Sequence, residues 1–225
     1  MDHNALRRIP ALKDSSSAEL SLLAAYAKTK KYGPGESLVS MADETSRLQI
    51  ITAGYVKVHR TSVKGDEIIV AIRTVGDFLG ELSVLDGQPP IADVTALDSV
   101  NVIELSSESV RALLSQNPKI IVSILVSRLR EATITVSEMA TRTLEQRAAA
   151  LLCSLARRHG AEVRNGIELP PIFTSVVIAS LVGNSKEEVS RTLSKFRKRG
   201  YIQRGARAKQ IVIEDFSALD DLGSN

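Results

Sequence analysis

The 225-residue chain has one cysteine, Cys153, so it can form no internal disulfide and no thiolate cluster able to hold an iron–sulfur centre. Cys153 sits in the apolar helical run AAALLCSLA, which reads as a place for a small buried hydrophobe, not a reactive thiol. Histidine is almost as scarce. His3, His59 and His159 lie far apart, and nothing in their spacing supports a haem or zinc site. No run approaches the roughly 18 apolar residues needed to cross a bilayer. The opening MDHNALRRIPALKDSSSAEL lacks the unbroken apolar core of a secretory signal. A cytoplasmic protein with no membrane partner is expected. A nucleophile–base constellation, metal-ligand spacing and a phosphate-binding P-loop are all missing, so neither an enzyme nor a cofactor is expected.

What is present is apolar content and local charge. At 44% hydrophobic residues the chain can build one large core or two small ones. The net charge is only +3, but it is unevenly placed. Between Ser185 and Lys209 lie Lys186, Arg191, Lys195, Arg197, Lys198, Arg199, Arg204, Arg207 and Lys209, opposed by Glu187 and Glu188. A terminal module with that excess suits a polyanion surface.

Periodicity divides the chain into three. DSSSAELSLLAAYA reads as a short N-terminal helix. From about Gly33 to Leu105, the β-rich runs GESLVS, LQIITAGYVKVHRTS, DEIIVAIRTV, ADVTAL and NVIEL alternate with turns, as in a small antiparallel barrel or sandwich. KGDE, residues 64 to 67, reads as a hairpin turn with Gly65 at positive φ. After SSESVRALLSQNP the pattern turns helical. Val122, Leu125, Leu129, Ala132, Val136 and Met139 recur at alternating intervals of three and four, the seam of a two-stranded coiled coil. A parallel homodimer follows from that seam; the alternative is a stripe packed on the chain's own barrel.

From Thr143 the third part reads as compact and mostly helical. Leu144 to Arg158 forms a helix ending near His159 and Gly160, and GIELPPIF is an extended passage. In TSVVIASLVGNSKEEVSRTLSKFRKRGYI, Thr174 or Ser175 caps a short helix that stops at Gly183, and Gly183-Asn184 makes a tight turn. Ser185 then caps a second helix, with Glu188 completing an S-x-x-E capping box. Val189, Leu193 and Phe196 form its inner stripe, faced by Ile178, Leu181 and Val182 of the first helix. This is a helix-turn-helix. Lys186, Glu187, Ser190 and Arg191 fall on the opposite face, in the turns where a recognition helix meets base edges. Lysine and arginine suit guanine, and glutamate suits the cytosine amino group. A generic helical hairpin would account for the apolar residues but not for this charged face. YIQRGARAKQIVIED reads as a hairpin like the wing of a winged helix, with Arg207 and Lys209 placed for phosphate.

A β-barrel carrying GEL, a long helix, then S-K-E-E-V-S-R in a winged helix resembles, over nearly the whole chain, the CRP/FNR family of bacterial transcription regulators. The resemblance implies an α+β fold. Residues 1–116 would be an antiparallel jelly-roll barrel of the cyclic-nucleotide-binding type with flanking helices. Residues 117–142 would be the dimerisation helix and hinge, and 143–225 the winged helix-turn-helix that binds DNA. It implies double-stranded DNA with a two-fold-symmetric site and RNA polymerase as partners, with Ser175, Ser185, Lys186, Glu187, Ser190, Arg191, Lys195 and Arg207 at the DNA. The family's base-reading Arg-Glu, followed four residues later by Arg, falls on Lys186, Glu187 and Arg191; lysine keeps the charge but loses the planar fork.

The cyclic-nucleotide cradle is less well matched. In the family GEL works with a downstream Arg-Ser pair, the arginine neutralising the cyclic phosphate. Here GEL is Gly80-Glu81-Leu82, but the arginine and serine positions are Pro90 and Ile91. The polar pair of the long helix falls on Ala132 and Thr133, leaving one hydroxyl. Arg73 is a candidate substitute cation. Ordinary cyclic-AMP sensing is not expected, and the effector is left open. A small-molecule module that regulates a protein partner is the alternative, and it would leave Lys186, Glu187 and Arg191 unexplained.

Overall fold

The structure, a computed structural model, describes residues 12, 16–43, 47–63, 65, 67–205 and 210–224. Two compact units divide the chain, Met1–Glu131 and Ala132–Asn225.

The first unit opens with helix α1 (Ser17–Tyr26) and continues through strands β1 (Lys28–Tyr32), β2 (Ser37–Val39), β3 (Arg47–Ala53), β4 (Val56–Thr61), β5 (Glu67–Arg73) and β6 (Phe78–Leu79). Helix α2 (Glu81–Asp86), strands β7 (Asp93–Ala96) and β8 (Val100–Ser106), and helix α3 (Ser107–Gln116) follow. The strands form two antiparallel four-stranded sheets, ordered β1-β8-β3-β6 and β2-β7-β4-β5. Each expected β-rich run contains a strand. The charged β1 and two-residue β6 were not expected.

Two apolar clusters explain the strand patterns. Tyr32, Leu38, Val39, Ile51, Val56, Leu79, Val94, Ala96, Val100 and Val102 form one core. Leu48, Ile50, Ile103 and Leu105 leave the same β3 and β8 on the alternate positions and join a second cluster with Leu20, Leu23, Val110, Ile121 and Ile124 from the helices. Because β3 and β8 send apolar residues to both clusters, neither shows a strict apolar–polar alternation. Gln49 is the polar exception in β3: at 1% exposure its amide donates to Tyr32 Oη and Glu104 Oε2, both at 3.1 Å. Gly65, at φ 88°, donates to Ser62 O in the β4–β5 hairpin. Lys64 and Asp66 of that turn lie outside the described residues.

Helix α4 (Lys119–Thr141) is 23 residues long. Ile121 and Ile124 are buried at its start, whereas Val122, Leu129, Val136 and Met139 of the proposed seam are 48–70% exposed. Leu125 departs from that seam. It packs partly buried on the helix-facing core, and Val126 is exposed beside it.

The second unit holds α5 (Leu144–His159), β9 (Ala161–Val163), β10 (Gly166–Glu168), α6 (Ser175–Val182), α7 (Lys186–Lys198), β11 (Ile202–Arg204), β12 (Ile211–Ile213) and α8 (Phe216–Ser224). The module is mostly helical, as expected, and the passage around GIEL is extended, as expected. That passage joins a four-stranded sheet, β11-β12-β10-β9, because Ile167 and Glu168 pair with Ile213 and Val212. Cys153 is fully buried in α5, and burial pushes its thiol up to about 11, as befits a core residue. His159 stacks on Phe173, and His59 shares a 2.8 Å hydrogen bond with Thr95; His3 lies outside the described residues.

Helix α5 starts at a complete capping box. Thr143 Oγ1 accepts from the Gln146 N–H, and Gln146 Oε1 accepts from the Thr143 N–H at 2.9 Å. Thr143→Ala is expected to cost about 1 kcal/mol of unfolding free energy, read by urea denaturation. An unchanged midpoint would mean that the box does not set the helix start.

Candidate nucleic-acid interface and effector site

The helix-turn-helix is fixed by local chemistry at both ends of its turn. Thr174, not Ser175, caps α6, its hydroxyl accepting from Val177 N. Ser175 is the first residue inside the helix. At the other end Gly183 takes the left-handed conformation, φ 67°, and the N–H groups of Gly183 and Asn184 reach back to Ser180 O and Ala179 O. A Cβ at Gly183 would lie 3.0 Å from Met139 Cε. Ser185 caps α7 by accepting from Glu188 N at 3.3 Å. The reciprocal half of the expected capping box is replaced, because the Ser185 N–H donates to Asn184 Oδ1 at 2.7 Å.

Val189, Leu193 and Phe196 are buried to 1% exposure or less, against buried Ile178 and Val182 and half-buried Leu181. That packing turns the opposite face outward. Lys186, Glu187 and Arg191 are exposed and enter no ion pair among the described residues, and Ser190 is half-buried between them. Three charges in the first two turns, without an ion pair among the described residues, suit hydrogen bonding to a partner.

Lys195 is placed differently. Its ammonium bonds Glu145 Oε1 at 2.5 Å, and Arg199 meets Glu145 Oε2 at 3.4 Å. One carboxylate on α5 therefore holds two cations of the segment that carries the exposed charged face. The lysine hydrogen bond, ahead of the charges of Lys195 and Arg199, holds the Glu145 carboxyl below the usual glutamate range against a smaller opposing effect of burial. Arg147 is a second brace, donating to Val182 O at 3.1 Å and Arg142 O at 2.8 Å. Neither Glu145 nor Arg147 was expected from sequence; Glu145 lies 50 residues or more from its partners, and Arg147 lies 35 from Val182. Arg197 sits half-buried at the end of α7, drawn below the usual arginine range by burial first and by Arg204 second. The hairpin of β11 and β12 is present, closed by Gly205 N donating to Gln210 O. Its tip, with Arg207 and Lys209, lies outside the described residues.

In the first unit, Gly80 precedes α2 in the left-handed conformation, φ 77°, and a Cβ there would stand 2.2 Å from Arg47 O. The glycine is thus required by the fold itself. Glu81, 8% exposed, accepts from Arg128 Nε at 3.2 Å, and Arg128 also donates to Phe78 O at 2.8 Å. Arg73 does not stand free: it forms a two-pronged bond with Glu131, both distances 2.9 Å. Leu82 and Ile91 are exposed and Pro90 is half-buried. A cavity of about 10 Å³ lined by Val39, Arg47, Gln49, Gly80, Ser83 and Pro90 among others has room for about one water. Ala132 and Thr133 are exposed on α4, in the second unit.

A two-sheet β unit, a long helix and a helix-turn-helix with an unpaired charged face define a DNA-binding regulator with a sensor-type domain. Comparison with known proteins agrees. Residues 29–117 match the family described as Cyclic nucleotide-binding domain, and residues 146–222 match the Crp-like helix-turn-helix domain. The CRP-like cAMP-activated global transcriptional regulator of Mycobacterium tuberculosis is 28% identical over 188 residues, covering 82% of this chain and 83% of that one. The cAMP-activated global transcriptional regulator CRP of Escherichia coli is 28% identical over 206 residues, 89% of this chain and 96% of that one. The solved structure of the c-di-GMP responsive regulator CLP of Xanthomonas campestris shares the fold, with a TM-score of 0.74 and 22% identity over 88% of this chain and 99% of that one. The chain belongs to the CRP/FNR family: it is a DNA-binding transcription regulator, not an enzyme. No helix among the described residues is long and apolar enough to cross a membrane.

Arg191→Ala is expected to lower affinity for the specific site by roughly 1 to 3 kcal/mol and to flatten sequence preference in competition gel shifts. Loss confined to non-specific affinity would refute the reading face. Glu145, with its lowered pKa, stabilises the fold fully above the ordinary glutamate pKa, and this contribution is lost as pH falls through its folded-state value. Glu145→Gln should therefore flatten the acid limb of a stability–pH curve, and parallel curves would contradict the clamp.

Proposed function

We propose that the protein is a cytoplasmic homodimeric regulator that reads a two-fold-symmetric DNA site, acts on RNA polymerase, and does not use cyclic AMP as its effector. The dimer rests on the exposed apolar stripe of α4, with Val122, Val126, Leu129, Val136 and Met139 each about half exposed or more. A narrow apolar stripe on a long helix is what a parallel partner helix covers. Two recognition helices would then lie about 34 Å apart, one turn of the duplex. Ser175, Ser185, Lys186, Glu187, Ser190 and Arg191 would meet the DNA, with Arg207 of the wing on phosphate; Lys195 serves the Glu145 clamp first. Residues 1–116, 117–142 and 143–225 would act as sensor, dimerisation helix with hinge, and DNA-binding domain.

The effector reading is carried by one observation: among the described residues, each arginine near the cradle already faces a carboxylate, Arg47 lying 3.6 Å from Glu104. Pro90 and Ile91 stand where the family's Arg-Ser pair implies a clamp, Arg73 is engaged by Glu131, and Arg128 by Glu81 and Phe78 O. A charge-assisted bond to phosphate contributes on the order of 1.5 to 3 kcal/mol, and an anion buried without a partner costs several more. The residues present therefore do not fit a cyclic nucleotide.

Leu129→Glu should give monomers by sedimentation and abolish tight operator binding. A wild-type monomer at about micromolar concentration that still binds the operator tightly would contradict the dimer. Cyclic AMP and cyclic GMP should neither raise the wild-type melting temperature nor change DNA affinity, whereas Pro90→Arg with Ile91→Ser should introduce a response. Calorimetry showing about micromolar cyclic-nucleotide binding by the wild type would overturn this reading.

A further inference from the structure

Arg73 is only 13% exposed, and Glu131 supplies every hydrogen bond and ion pair it makes among the described residues. The second guanidinium, Arg128, comes within 3.6 Å of the same carboxylate while holding Glu81 and lying 3.7 Å from Asp77. Two converging arginines, one gripping both oxygens of a single carboxylate, are the donor set of an oxoanion site. We propose that Arg73 and Arg128 form such a site and that the chain fills it with its own Glu131, an internal ligand in place of an anionic effector.

The inference rests on the reading that the protein works without cyclic AMP, and it explains how. A carboxylate carried on the same chain is present at a high effective concentration, so dissolved anions compete poorly with it. Its bond fastens the Arg128–Glu131 turn of α4 to β5 without any bound molecule. Glu131 is 42% exposed, so the anion position is open to solvent on its side. Removing the carboxylate leaves a largely buried guanidinium unpaired, a costly state that an external anion relieves. The ligand class is a small oxoanion, planar or tetrahedral.

The test is chemical rescue of the full-length protein. In chloride buffer, Glu131→Ala is expected to melt lower than wild type and to bind its operator roughly tenfold less tightly, about 1.4 kcal/mol. Acetate or inorganic phosphate at about 50 mM, against chloride of matched ionic strength, should raise its melting temperature and restore most of that affinity, and leave wild type unmoved. Glu131→Gln, which keeps the side-chain size, should behave like the alanine variant, and Arg73→Ala with Glu131→Ala should show no rescue. Rescue by acetate alone marks a planar carboxylate site; rescue by phosphate as well marks a general oxoanion site. The proposal is overturned if Glu131→Ala matches wild type, or if its anion response equals that of the double variant. A wild-type response to cyclic AMP alongside intact rescue would overturn the effector reading and leave the anion site standing.

Discussion

The Arg128 guanidinium is the joint on which the sensor unit turns. Its bond to the Phe78 carbonyl reaches a residue buried in the helix-facing core, and its bond to Glu81 neutralises a carboxylate that is 8% exposed. The first half of α4 is thus bound to the barrel by charge as well as by Ile121 and Ile124. Removing one member of such a set strands the others in a poorly solvated place, which costs several times what the pair contributes when complete. The GEL sequence is therefore kept by the fold on two counts, a glycine pressed on Arg47 O and a glutamate held by Arg128, neither of which requires a nucleotide.

Legibility followed the range of the interactions. The helix-turn-helix was readable because its determinants are local: a capping threonine, a glycine at positive φ, a capping serine and an i, i+4, i+7 apolar stripe, all within 23 residues of one another. The strands with apolar cores were readable too. β1 was not, because KTKKY exposes four of its five residues and is held by pairing with β8. GIEL was readable as extended, but β9 and the pairing of β10 were not, since the place of β10 in a sheet is set by β12, some 45 residues on. The Thr143–Gln146 box was within reach of the sequence: T-L-E-Q carries the capping pattern.

Long-range charge pairing was the part that no pattern announced. Arg73 and Glu131 are 58 residues apart, and Lys195 and Glu145 are 50 apart. Arg73 looked available for a phosphate because a sequence shows a cation without its partner. The coiled-coil spacing had the opposite difficulty. Intervals of three and four fit two faces of one helix equally well near its start, and burial assigned Leu125 to the core while leaving Val126 outside.

In the second unit, the side chains that hold α7 differ from those proposed to read DNA. Val189, Leu193, Phe196, Lys195 and Arg199 anchor the helix to its own module, while Lys186, Glu187 and Arg191 are exposed and form no ion pair among the described residues. If those three side chains read the operator, as proposed, substitutions there leave the anchoring contacts in place, and the operator a lineage recognises is free to drift by single-residue steps. Divergence of target genes among duplicated copies of such a regulator needs no intermediate that folds badly.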